Sequence, residues 1–152
     1  MAYTTPITDR TQSDIAAQNS KAFWNVADWT RVYGNSLETN TALNTALGLA
    51  VSFDTITTVT NTDIPTVTEI NEFLANIERM RSLLSANITN VDFVEIKDDW
   101  LAGQLEDAPN FSHVNSWEKV TDIIYQIYKA TYTAEGTPIC GAAICGASDL
   151  GV

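Results

Sequence analysis

The run Thr66-Val67-Thr68-Glu69-Ile70-Asn71-Glu72-Phe73-Leu74-Ala75-Asn76-Ile77-Glu78-Arg79-Met80-Arg81-Ser82-Leu83-Leu84 decides how the rest of the chain is read. Ile70, Phe73, Leu74, Ile77, Met80 or Arg81, and Leu84 recur at three- and four-residue spacing, which stacks them on one face of a helix, while Glu72, Glu78, Arg79 and Arg81 mostly fall elsewhere. Thr66 stands three residues before Glu69, the spacing at which each side chain satisfies the other's exposed backbone N–H, and Pro65 keeps the approach extended. Such a one-sided helix has to bury its apolar face against partners.

Two further segments supply them. Toward the N-terminus, Asn25 is followed three residues later by Asp28, a cap and an acid at the positive end of a helix, and Val26, Trp29, Tyr33, Leu37, Asn40, Leu43 and Leu47 form a stripe. Gly34 interrupts it, weakening the helix but letting another backbone or a large ring come close. Asn40 is polar at a core-facing position, which suits a solvated edge, with a hydrogen-bonded register device as the other reading. Toward the C-terminus, Asn115-Ser116-Trp117-Glu118 has the same spacing, and Trp117, Val120, Ile123, Ile124, Ile127, Tyr128 and Thr131 form a broad apolar face. The expected fold is mainly α, a small bundle of three principal helices with its core at Trp29, Tyr33, Phe73, Ile77, Trp117, Ile124 and Tyr128.

The remainder divides into residues 1–20, an extended N-terminal arm; 21–132, the bundle; and 133–152, a non-helical tail with Gly and Cys. The arm is polar and Thr-rich, with a short helix over 13–20 capped by Ser13 and only Ile7 and Ile15 to anchor it; an arm of this kind is expected to cross to a neighbour. Residues 51–60, rich in Thr, Val and Ile, read as an extended connection or short strand. Residues 91–96 read as a short strand, and 97–105 as one or two helical turns with Trp100 and Leu101 inward. Cys140 and Cys145 lie in an Ile-Cys-Gly-Ala repeat without the further ligands of a zinc site, so the tail reads as packing against itself or a neighbouring subunit, with simple disorder as the other reading.

Nineteen acidic residues against eight scattered basic ones leave a net charge of −11, which argues against nucleic acid and anionic membrane as partners. The start of the chain lacks the pattern of a signal peptide and no run is long enough to span a bilayer. The asparagine sequons at Asn87 and Asn110 are read as chance matches. His113, the sole histidine, stands beside Ser112 and near Asp107, but no nucleophile elbow accompanies them. Asp98 with Asp99, and Glu106 with Asp107, read as solvated surface pairs. No catalytic, cofactor-binding or metal-binding residue is assigned, and the expectation is not an enzyme.

Five segments taken in order carry a resemblance: Ile7-Thr8-Asp9-Arg10-Thr11-Gln12-Ser13-Asp14, Phe23-Trp24-Asn25-Val26-Ala27-Asp28-Trp29-Thr30-Arg31-Val32, Asp63-Ile64-Pro65-Thr66, Asn76-Ile77-Glu78-Arg79-Met80-Arg81 and Val114-Asn115-Ser116-Trp117-Glu118. This set, over roughly residues 7–130, resembles small helical virion-structural domains of tailed bacteriophages and prophages of Gram-positive bacteria. The chain departs from that pattern at Trp29-Thr30-Arg31, where Leu-Asn-Arg is usual, and in its Cys/Gly tail. The resemblance implies a non-enzymatic structural component of a virion, associated with tail, baseplate or fibre and assembled in the host cytoplasm. Its expected partners are other virion proteins and copies of itself, in a homo-oligomer or symmetric assembly. A capsid decoration, head fibre or receptor-binding module is the other reading it leaves open.

Overall fold

The computed structural model describes residues 2–21, 25–50, 65–87, 91, 93–97, 100–101 and 109–131. Four helices are present among them: α1 (Gln12–Ala17), α2 (Val26–Leu47), α3 (Val67–Asn87) and α4 (Phe111–Thr131). The long three pack on one another and enclose one core, in which Trp29, Val32 and Leu43 of α2 meet Phe73, Leu74, Ile77, Met80 and Leu84 of α3 and Val114, Trp117, Val120 and Ile124 of α4. Six of the seven expected core residues are buried; Tyr33 is half-buried and packs against the same cluster.

The starts of the helices follow one chemical rule. Thr11 with Asp14, Asn25 with Asp28 and Thr66 with Glu69 each exchange side-chain and backbone hydrogen bonds. At α4 the rule holds with a different pair. Asn110, not Asn115, caps the helix: its Oδ1 accepts from the N–H groups of Ser112 and His113 at 2.9 and 3.4 Å, and the His113 Nδ1 accepts from the Asn110 N–H at 3.1 Å. The expected start at Asn115 was late because an imidazole nitrogen takes the acceptor role usually filled by an acid, a substitution that a search for Asp or Glu overlooks. In the same way α1 begins from Thr11 rather than Ser13.

The three long helices run in the same direction. Arg31 of α2 binds Glu118 of α4, while further along Glu38, Thr41 and Thr45 share a surface hollow with Tyr125, Tyr128 and Lys129. Phe73 lies between Trp29 and Trp117, with ring centroids 5.4 and 5.9 Å apart, so the early turns of all three helices stand at one level. Met80 and Leu84 are buried in that same core, which requires α3 to continue alongside the others rather than away from them. A parallel bundle needs connections that travel back its full length, roughly 32 Å for a helix of this size. The long intervals after Leu47 and after Asn87 have that physical reason. Part of the second return is described: Phe93 stands beside Arg81, and Trp100 reaches the early turns, exchanging hydrogen bonds with Asn71 and meeting the His113 ring edge-on.

Several expectations fail here. The described residues of 91–96 are irregular rather than a strand, though Phe93, Val94 and Ile96 pack on the core. Lys97, Trp100 and Leu101 are not helical, and while Trp100 is buried, Leu101 is 60% exposed. Asn40 is 7% exposed, inside rather than at a solvated edge. The deepest line along α2 is Trp29, Val32, Ser36, Thr39 and Leu43. Ser36 and Thr39 fit there because their hydroxyls donate to the carbonyls of Val32 and Asn35 one turn back at 2.9 and 2.8 Å, leaving small, internally satisfied side chains. The expected strand at 51–60 and the tail with Cys140 and Cys145 lie outside the described residues.

Candidate functional site

Residues 2–10 have no helix or strand structure and lie along the groove between α2 and α4, held there by side chains of those helices. At one end the Tyr3 ring stacks on Tyr125, centroids 3.7 Å apart, and its hydroxyl donates to Asp122 at 2.9 Å. Burial, then this hydrogen bond to a carboxylate, pushes the Tyr3 hydroxyl's pKa well above its ordinary value. Next, Asn35 takes both backbone groups of Thr4, accepting from its N–H at 2.9 Å and donating to its carbonyl at 2.8 Å. The Ile7 N–H donates to Glu118 at 2.8 Å, and Asn115 brackets Arg10 the same way Asn35 brackets Thr4. In this chain the arm lies along its own bundle, anchored by polar backbone brackets and Arg10 rather than by Ile7 and Ile15 alone.

Beneath the arm four charged side chains meet, three of them buried and Arg31 partly so. Arg10 donates through Nη2 to Glu118 at 2.9 Å and to Asp28 at 3.4 Å, and through Nη1 to the Ile7 carbonyl and Asn115. Arg31 grips Glu118 with two bonds, Nε at 3.1 Å and Nη2 at 2.9 Å, and pairs with Asp28 at 2.7 Å. Glu118 is 2% exposed and Asp28 6%, so neither carboxylate is stabilised by solvent. Two cations face two anions: Arg31 forks onto Glu118 through Nε and Nη2, while the single Nη2 of Arg10 serves both carboxylates. Burial alone would lower the Arg31 pKa, but the bonds to Glu118 and Asp28 outweigh it and hold the group above its ordinary value.

The sequence reading placed Asn115 and Glu118 at a helix start. The structure places them mid-helix, where Asn115 holds the arm and Glu118 centres the charge cluster. Asp28 does both jobs: one oxygen accepts from the Asn25 N–H while the other faces Arg10 and Arg31. Nothing in the linear spacing of Arg10, Asp28, Arg31 and Glu118 signals that they meet; only Arg31 and Asp28 share a helix.

The cluster has no vacant coordination to offer, since its carboxylates are engaged by guanidinium groups. Among the described residues no group of three or more His, Cys, Asp or Glu could hold a metal ion. Ser112 and His113 serve the start of α4, Ser112 Oγ donating to Asn110 at 2.6 Å, while Asp107 lies outside the described residues, as do Asp98, Asp99 and Glu106. A hollow of about 530 Å³ opens where the long helices begin, lined by Ile15, Trp29, Ile70, Phe111 and Trp117 with Arg10 at its wall. No described helix is long and apolar enough to cross a membrane. Comparison with family models, curated proteins and solved structures finds no match for the chain.

Proposed function

We propose that this chain is a non-enzymatic structural component of a tailed-phage virion, in the tail, baseplate or fibre region, acting through contacts with other virion proteins and with copies of itself. The observation that supports this reading is where the resembling segments fall. Arg10 from the first, Asp28 and Arg31 from the second and Asn115 and Glu118 from the last meet in one cluster beneath the arm. Thr11 with Asp14 and Asn25 with Asp28, also in those segments, close helix starts, as does Thr66 of the third segment with Glu69 just beyond it. The residues that carry the resemblance are therefore spent on clamping the arm to the bundle, not on an open reactive site. A rigid body of this kind, with a net charge of −11 keeping it soluble when crowded, suits repeated placement in an assembly.

The test is the protein content of purified particles. An epitope-tagged chain produced in the infected host should copurify with intact particles through a density gradient, and antibody labelling should mark the tail end. Label on the head would move it to capsid decoration. Particles free of the chain would overturn the proposal.

A further inference from the structure

We propose that residues 2–10 form an exchangeable strap, and that the α2/α4 groove accepts the strap of a second copy of this chain as it accepts its own. Three observations carry this. First, the grip is wholly distal: Tyr3, Thr4, Ile7 and Arg10 are held by Asp122, Asn35, Glu118 and Asn115, all side chains of α2 or α4. Each bond is indifferent to which chain supplies the strap.

Second, the described part of the tether between strap and bundle, residues 11–21, is weakly attached. α1 contains no buried residue and packs against none of the three long helices at backbone level. Its start is closed by its own Thr11 and Asp14, and the ion pair across the tether, Lys21 with Asp9, is exposed. Third, the tether turns at Gln18, whose φ of 51° makes it the sole non-glycine residue with positive φ among those described. A side chain in the left-handed region is strained, and a strained hinge beside a self-complementary element is the arrangement from which exchange between copies arises.

The groove also penalises vacancy. Without Arg10, Glu118 and Asp28 remain buried with Arg31 as their one cation in the cluster, and the Asn35 and Asn115 amides lose their backbone partners. The strap site therefore stays filled, and the open variable is whose strap fills it. A short tether gives its own strap an effective concentration on the order of millimolar. Dilute copies close on themselves; copies packed side by side exchange. The inference concerns the purified chain and does not rest on the virion reading.

The experiment replaces Cys140 and Cys145 by Ser, then prepares Thr4→Cys and Asn35→Cys variants separately and mixes them at about 1 mM, in the range of that effective concentration. A disulfide-linked heterodimer several-fold above the self-dimer background of either variant alone is expected, and Arg10→Ala in the Thr4→Cys copy should remove the excess. Gln18→Val, which suits the left-handed turn worse, should raise the dimer fraction seen by sedimentation at that concentration; Gln18→Gly should lower it. A heterodimer yield no greater than background, or a dimer fraction unmoved by either Gln18 change, overturns the proposal.

Discussion

Trp117 and Glu118 are consecutive in α4 and almost equally buried, at 1% and 2% exposure, yet opposite physics holds them. Trp117 faces Phe73 in the apolar seam between α2, α3 and α4, where area removed from water and close packing stabilise it. Glu118 faces the α2/arm side, where four hydrogen bonds from Ile7, Arg10 and Arg31 replace the water it has lost. The comparison teaches that burial is not one quantity. At the seam, shape matters and chemistry is interchangeable within limits; at the cluster, charge matters and shape does not substitute for it.

The hardest blow to the cluster is Glu118→Ala, which leaves buried Arg10 and half-buried Arg31 with Asp28 as their one carboxylate in the cluster. It should cost about 3–5 kcal/mol in urea unfolding and release the arm to protease. Phe73→Ala should cost about the same, roughly 3–5 kcal/mol, by opening a cavity in the seam, but with the arm still protected. Arms equally protease-sensitive in both variants would break the distinction.

A finer comparison uses milder substitutions. Phe73→Leu should cost under about 1.5–2 kcal/mol after repacking, while Glu118→Gln, nearly isosteric, should cost more, about 2–3 kcal/mol, because the two guanidinium groups lose a counter-charge. Equal losses by denaturant midpoint would refute the view that charge governs one side and volume the other. A double-mutant cycle on Arg31 and Glu118 should return a coupling of about 1–3 kcal/mol, against a value near zero for Phe73 with Glu118.

Smaller again is the effect at the start of α4. Asn110→Ala should cost about 1 kcal/mol and speed amide exchange in residues 111–114. Asn115→Ala should leave those amides protected and instead speed exchange around Arg10. The reverse pattern would return the cap to Asn115.

The smallest effect is electrostatic and confined to α1. Hydrogen bonds from Asn19, then from Thr11, hold the Asp14 carboxyl at about 2, below its ordinary 3.8. A depressed carboxylate contributes its stabilisation above the ordinary value and loses it as pH falls through the folded one. The start of α1 should therefore stay intact at pH 4 and open toward pH 2, followed by the Asp14 side-chain carbon signal in NMR. A midpoint near 3.8 would mean that the Thr11–Asp14 cap does not hold in solution.

The starts of α2 and α3 were legible because a capping box is local: Asn25 with Asp28 and Thr66 with Glu69 need only three residues of separation and the backbone between them. The face of α3 was legible for the same reason, since Phe73, Ile77, Met80 and Leu84 declare themselves by spacing alone. Ser36, Thr39 and Thr121 were not, because a hydroxyl bonded to its own helix is polar by name and apolar in effect.

The sequence by itself determined that three amphipathic helices form and which apolar side chains they hide, since both follow from periodicities of a few residues. The tertiary structure alone decided that the helices run parallel, that the arm returns to its own body, and that Arg10, Asp28, Arg31 and Glu118 neutralise one another. Those depend on contacts as far as 119 positions apart in the chain. The pairing of charges across such distances leaves no periodic trace, because a guanidinium needs only one well-placed carboxylate and any loop long enough can deliver it.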